Sequence, residues 1–371
     1  MITYIQSTNK FLILNLNLNV VMAIFRILLL PFSFLYAIVV VIRNKFYDWH
    51  FFKSYTFNTP IISVGNLEVG GSGKTPLVEY LIKLLNGSHK LSTLSRGYGR
   101  KTKGFRWIDK NDEAYLSGDE PLQIKQKFPN ISVAVCENRV EGIEKIKENH
   151  SLILMDDAYQ HRAVIPGLSI LLFDYNRLNS YRFLLPAGNY REPFSGRKRA
   201  DIIIISKTPT QLSKEEQQLL KNKLKIKAHQ KVFFSYIKYA SELNHLFLNH
   251  SLEVKNINKN TEVLLITGIA KPDLLLAEIS KYTNLIKHHS YSDHHQFSTK
   301  NMLKLVKDFE NINSNNKIII TTEKDAVRLK SEENRKFVEN FPIYEWPIEA
   351  VFHTSESENF DKEILKYVRT H

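Results

Sequence analysis

Short apolar runs alternate along most of this chain with stretches whose apolar residues recur at helical spacing. Ile61–Val64 reads as a buried strand. After a glycine-rich turn, Pro76–Leu85 follows as an amphipathic helix. Leu91–Leu94, Val133–Val135, Leu152–Met155, Ile170–Phe173, Ile202–Ile205 and Val232–Tyr236 repeat the strand pattern. Leu122–Phe128 reads as a helix opened by acidic residues, and the Lys- and Gln-rich Gln211–Lys231 as an exposed helix. The polar, Asn-rich region from Ser241 to Asn260 suggests a boundary. Val263–Gly268, a helix over Asp273–Ile279 and a strand over Lys317–Ile320 then form a second unit. Strands alternating with helices predict an α/β fold with a mostly parallel, helix-covered sheet.

The N-terminus follows a different pattern. Ile27–Ile42 is apolar apart from Ser33 and is interrupted by Pro31. About sixteen residues fall short of the ~20 that cross a bilayer core, and extension upstream to Val20 takes in Arg26. With Arg43, Lys45 and Lys53 behind it, the segment 22–46 reads as a membrane-associated anchor, against the alternative of a buried core helix. Residues 1–21 look unlike the rest, and Met22 is expected to be the natural start. The division that follows is a core over 47–236 and a smaller C-terminal α/β domain over 237–371, with strand sharing between them left open.

The turn after Ile61–Val64 carries the first chemistry. Gly70, Gly71, Ser72, Gly73, Lys74 and Thr75, set between strand and helix, form a phosphate-binding loop. Glycines let backbone N–H groups turn toward phosphates, and the helix N-terminus adds partial positive charge. Lys74 would reach the β- and γ-phosphates, and the Thr75 hydroxyl would ligate magnesium. Glu68 replaces the motif's first glycine, so the later glycines must supply the backbone freedom. The second informative place is Asp156-Asp157, two carboxylates closing an apolar strand, which suits a magnesium site. Alternation along the strand points them apart, so one of the two is expected to meet the metal.

The chain holds 371 residues, enough for two domains, with 43% hydrophobic and 24% charged positions, as in globular proteins. One cysteine, Cys136, excludes a disulfide framework. The 51 Lys and Arg against 38 Asp and Glu leave a net +13, which favours anionic partners: nucleic acid, acidic lipid or a phosphorylated substrate. No nucleic-acid motif accompanies the charge, so no nucleic-acid partner is expected. Ser206-Lys207-Thr208-Pro209 occupies the place of a GTPase's guanine reader but lacks its aspartate, which disfavours guanine. A membrane-associated GTPase or regulatory ATPase is the main rival reading. For the loop Asp293-His294-His295, zinc is weakly supported because adjacent histidines rarely ligate one ion.

Taken together, Ser63-Val64-Gly65-Asn66-Leu67, the glycine loop, Ser95-Arg96-Gly97-Tyr98-Gly99-Arg100 and Gly118-Asp119-Glu120-Pro121 resemble the tetraacyldisaccharide 4'-kinases, the lipid A 4'-kinases of Gram-negative bacteria. Asp156-Asp157-Ala158-Tyr159-Gln160-His161-Arg162, Pro186-Ala187-Gly188, Arg191-Glu192-Pro193, Asp293-His294-His295 and Thr321-Thr322-Glu323-Lys324-Asp325 continue the likeness. Ala158-Tyr159 stands where the family usually has Gly-Phe. The resemblance implies an ATP- and Mg2+-dependent kinase acting on the 4'-hydroxyl of a tetraacylated glucosamine disaccharide 1-phosphate. It also implies a monomer at the cytoplasmic face of the inner membrane, with a P-loop core, a smaller C-terminal domain and a cleft between them. Lys74, Asp119 and His294 are the expected catalytic residues, with His294 orienting Asp119 or sharing its proton. Asn66, Arg96, Tyr98, Glu120, Gln160, His161 and Arg191 are expected on the substrate.

Overall fold

The computed structural model describes residues 2–353 and 356–370, with side chains from Phe25 onward. In chain order, α1 (Ile2–Asp48) leads to β1 (Ile61–Asn66), α2 (Lys74–Leu85), β2 (Leu91–Ser95), β3 (Arg106–Trp107), α3 (Ala114–Ser117) and α4 (Asp119–Lys127). Then come β4 (Ser132–Val135), α5 (Arg139–Ile146), β5 (Leu152–Asp156), β6 (Leu168–Asp174), β7 (Ile202–Ser206), α6 (Lys214–Leu224) and β8 (Lys231–Tyr239). The second unit runs through β9 (Glu242–His245), β10 (Ser251–Glu253), β11 (Glu262–Thr267), α7 (Asp273–Ile279), β12 (Ile286–Ser290) and α8 (Thr299–Glu310). It closes with β13 (Lys317–Thr322), α9 (Glu323–Leu329), α10 (Glu332–Val338) and β14 (Ile343–Trp346). Finally β15 (Ile348–Phe352) and α11 (Ser357–Arg369) return to the first unit.

The first sheet has nine strands in the order β15-β8-β7-β6-β1-β5-β2-β4-β3. Its pairs are parallel except at the two edges, where β15 meets β8 and β3 meets β4 antiparallel. Isoleucine and valine dominate β1, and all six of its positions are buried, as a central strand with both faces covered requires. β1 lies between β5 and β6, with Val64 opposite Asp156. That register places the glycine loop beside the paired aspartates. Leu77, Val78, Leu81 and Ile82 of α2 pack on this sheet, joined in the same core by Phe360, Ile364 and Val368 of α11.

The second sheet runs β10-β9-β14-β13-β11-β12, parallel from β14 to β12 and antiparallel at β9 and β10. The Asn-rich region expected as a boundary therefore supplies two strands of this sheet. The expected exposed helix shortens to α6, because Ser213 and Glu216 form a capping box at its start and Lys225 turns left-handed (φ 49°) at its end. Only two strands of chain join the units, tied where Ala240 N–H donates to Pro347 O (2.9 Å) and Trp346 Nε1 donates to Ala240 O (2.9 Å).

The helix α1 runs unbroken past Pro31. Phe25–Asp48 is long and apolar enough to cross a membrane by length and composition. Phe25, Leu28, Phe32, Phe34, Leu35 and Val39 are all exposed, which removes the core-helix alternative. The expected start at Met22 and the segment 1–21 lie outside the residues whose side chains are described. Ser33 is buried within this apolar helix: its Oγ donates to Leu184 O (3.0 Å) and accepts from Ala187 N–H (2.8 Å). Further along, Tyr36 donates to Arg191 O and Arg43 to Gln160 O, so the helix sits against loops carrying site candidates.

Candidate active site

The C-terminal ends of β1, β2 and β5 carry most of the sequence candidates. In the phosphate loop Gly70 (φ 85°) and Gly73 (φ 84°) are left-handed, a conformation other residues resist. A side chain at Gly70 would also meet Arg177 Nη2 at 3.0 Å. That arginine explains Glu68: its Nη1 donates to Val69 O (2.6 Å) and lies 3.4 Å from Glu68 Oε2, bracing the loop's entry. Asn66 is buried beneath the loop. Its amide nitrogen donates to Ser72 Oγ (2.9 Å), and its Oδ1 lies 3.4 Å from Lys74 Nζ. It is a support of the loop in this geometry. Ser206 Oγ donates to Ser72 O (2.7 Å) and Lys207 Nζ to Gly71 O, so the segment weighed as a guanine reader braces loop backbone instead. Thr75 stands second in α2.

Asp156 ends β5, and Asp157 turns left-handed (φ 47°) directly after it. The two carboxylates have opposite electrostatic fates. Burial, then repulsion from Glu120 and Asp157, pushes Asp156 up to about 7 against the pull of Lys74. For Asp157, burial is outweighed by Lys74 and Arg191, which hold it below the usual carboxylate range. Arg191 Nη1 donates to Asp157 Oδ2 (2.9 Å). Lys74 Nζ lies 3.3 Å from Oδ1, close enough to pair but not aligned as a hydrogen bond. Asp156 Oδ1 is buried without a hydrogen-bond partner. A buried carboxylate whose charged form is disfavoured by burial and by neighbouring carboxylates, with one oxygen unfilled, fits a divalent cation, which would supply the missing positive charge.

Gln160 cross-links the neighbourhood, donating from Nε2 to Asn66 O (2.8 Å) and Glu192 Oε1 (2.9 Å). His161 Nε2 is buried without a partner. Burial first, then repulsion from Arg139, Arg43 and Arg96, lowers His161 to about 4. Three arginines near one imidazole whose charged form is disfavoured make an anion-attracting region beside α1. Arg43 and Arg139 were not among the sequence candidates. Arg43 resembled an anchor's flanking charge, and Arg139 the polar close of the strand Val133–Val135, where the structure starts α5.

The catalytic candidates Asp119 and His294, 175 positions apart, meet across the two units: His294 Nδ1 lies 3.0 Å from Asp119 Oδ2. The backbone of His294 is left-handed (φ 58°), and its N–H donates to Gly268 O (3.1 Å). His295 turns elsewhere, bonding Asn301 Oδ1 (3.0 Å) and stacking on Tyr291. Arg328 Nη1 also reaches Asp119 Oδ2 (3.2 Å), and Glu120 N–H donates to Oδ1 (3.0 Å). Burial pushes Asp119 up, but the bond from His294 and the charges of Lys324 and Arg328 hold it below its ordinary value. Glu120 pairs with Lys324 (3.0 Å), and the exposed Tyr98 ring packs edgewise with His294, ring centres 4.9 Å apart. Arg96 is exposed, and its charge falls on His161 and Arg139. Lys324 stands in the first turn of α9, which Thr322 caps, and Arg328 in its last turn. Among the described residues no group of three His, Cys, Asp or Glu comes together as a metal cluster, at the histidine loop or elsewhere.

A phosphate loop, an unfilled carboxylate and an ionised carboxylate supported from the second unit make a site for phosphoryl transfer to a hydroxyl. The family model for tetraacyldisaccharide-1-P 4'-kinase matches residues 25–369. The tetraacyldisaccharide 4'-kinase of Phocaeicola vulgatus is 41% identical over 92% of this chain and 94% of its own length. That of Flavobacterium johnsoniae is 42% identical over 94% and 98%. The crystal structure of LpxK from Aquifex aeolicus in complex with ATP matches with a TM-score of 0.68 at 28% identity, covering 93% of this chain and 99% of that one. The chain belongs to the tetraacyldisaccharide-1-P 4'-kinase family.

Proposed function

We propose that this enzyme moves the γ-phosphoryl group of ATP to the 4'-hydroxyl of a tetraacylated disaccharide 1-phosphate, with Asp119 as the base. The observation that carries the reading is Asp119 itself, kept ionised at the cleft by three groups from the second unit. In the reaction the hydroxyl's O–H bond breaks and its proton passes to Asp119. The oxygen bonds to the γ-phosphorus, and the bond from that phosphorus to the bridging oxygen breaks to release ADP. Lys74, released from Asp157 by the incoming phosphates, stabilises charge on the group in transit. Thr75 and Asp156 would hold magnesium, which neutralises phosphate charge when bound, while Asp157 keeps Arg191 in place.

The arginines around His161 suit the substrate's 1-phosphate. Their position beside α1 supports an exposed apolar helix that anchors the protein, taken as a monomer, at the cytoplasmic face of the inner membrane of a Gram-negative bacterium, where an acylated substrate resides. The test is nucleotide turnover with and without acylated disaccharide 1-phosphate. ATP-specific turnover that depends on the disaccharide and yields its 4'-phosphate is expected. GTP preference, or turnover indifferent to the disaccharide, would return the GTPase or regulatory ATPase reading.

A further inference from the structure

We propose that Lys324 is a positioning residue that holds His294 as its Nδ1–H tautomer, so that His294 orients Asp119 and accepts no proton itself. The proposal rests on the reading of Asp119 as the base, and it assigns the proton to one oxygen, Oδ1.

The argument is a count of donors and acceptors. Lys324 Nζ has His294 Nε2 at 3.0 Å, Glu120 Oε1 at 3.0 Å and Asp293 Oδ1 at 3.4 Å. An ammonium has three hydrogens and no lone pair, so these contacts saturate it and it can only donate. His294 Nε2 must therefore offer its lone pair. A neutral imidazole carries one N–H, which then lies on Nδ1 and points at Asp119 Oδ2. Asp119 Oδ2 receives a second donor from Arg328 Nη1, so its in-plane lone pairs are filled. Among the described residues Oδ1 receives only Glu120 N–H, and it keeps room for a proton. With Nε2 covered by an ammonium, His294 has no free nitrogen on which to take the proton onward.

The surroundings hold this arrangement from every side. The groups facing His294 are Asp119 and Glu120 from α4, Lys324 and Arg328 from α9, Asp293 from its own loop and the Tyr98 ring. Thr322 caps α9, its Oγ1 accepting Asp325 N–H (3.1 Å) and donating to Asp325 Oδ2 (2.7 Å). The buried Asp325 also accepts Gly268 N–H (3.0 Å), and Gly268 O takes both His294 N–H and Arg328 Nη2. A side chain at Gly268 would stand 3.1 Å from Asp325 Oδ1 and 3.2 Å from His295 Cβ, so glycine is what lets helix and loop close on each other. The lysine and the imidazole it controls thus share one rigid backbone support.

The test reads the tautomer directly, by two-bond 1H–15N correlation on full-length protein labelled at histidine, with His294 assigned by its absence in His294→Gln. At neutral pH the wild type should show Nδ1–H at His294. Lys324→Met should move the population toward Nε2–H, lowering kcat about tenfold to a hundredfold and leaving KM for ATP within about twofold. Lys324→Arg should recover part of both. An Nε2–H or doubly protonated ring in the wild type overturns the proposal and needs no variant to be seen. An unchanged tautomer in Lys324→Met, whatever its kcat, overturns it equally. Full activity in Asp119→Asn would instead remove Asp119 as base and leave the tautomer result standing on its own.

Discussion

The two ends of α4 both meet α9 through buried charge, and they are built to opposite rules. At the N-terminal end Asp119 and Glu120 face Lys324, Arg328 and His294, and Asp119 is held ionised below its usual range. At the other end Lys127 lies between two carboxylates, Glu79 of α2 (2.7 Å) and Glu323 of α9 (2.5 Å). Burial and then Glu323 push Glu79 up to about 7, against the opposing pull of Lys127 and Gln123. One seam gives a carboxylate more donors than it needs, and the other gives two carboxylates too few. The first suits a group that must accept a proton. The second suits a joint, because Glu323 Oε2 also accepts Ile348 N–H (3.1 Å) at the start of β15. The helix that follows the phosphate loop is thereby tied to the strand that returns from the second unit.

The largest expected effects strike the phosphate loop and the first seam. Lys74→Ala and Asp119→Asn should each lower kcat about 10²–10⁴-fold while far-ultraviolet circular dichroism stays as in the wild type. If Asp119 and His294 act as one unit, the double alanine variant should be little slower than the slower single variant. Steady-state kinetics of all four forms decide this, and losses that multiply would separate the two residues.

Breaking the second seam should cost stability before chemistry. Lys127→Met leaves two buried carboxylates without their ammonium, a loss of about 3–5 kcal/mol in denaturant unfolding. A variant as stable as the wild type would show that the joint carries little strain.

The smallest effect sharpens the contrast through pH. Glu79, raised from 4.5 to about 7 in the folded state, binds more proton there than in the unfolded chain. Stability should therefore fall by roughly 1–3 kcal/mol as pH rises between those values, and Glu79→Gln should abolish that slope. Asp119 has the opposite sign. Its lowered value favours the folded state at neutral pH, an increment lost only as pH falls through the acid range. Melting curves of Glu79→Gln and Asp119→Asn across pH should diverge from the wild type at opposite ends of the scale.

Much of this protein was legible in its sequence, because much of it is local. Strand, glycine loop and helix at Ile61–Leu85 follow from neighbouring residues alone, as does Asp156-Asp157 at the end of an apolar strand. The seven-residue helix Asp273–Ile279 appears where its periodicity put it. The strands β14 and β15 and the helix α11 went unread, since nothing near Ile348 states that β15 pairs with β8 more than a hundred positions earlier.

The sequence by itself determined the phosphate loop, the α/β order and the motifs that mark the family, since each depends on residues a few positions apart. Only the tertiary structure decided which side chains share a proton, a charge or a lone pair. It set His294 against Asp119 and turned His295 to Asn301, placed Asp157 with Lys74 and Arg191 while leaving Asp156 Oδ1 unfilled, and aimed Lys324 at an imidazole. Hydrogen bonds and ion pairs fall off within a few ångströms, and the groups concerned lie up to 209 positions apart. Spacing along the chain therefore carries the elements, and closure of the two units carries the chemistry.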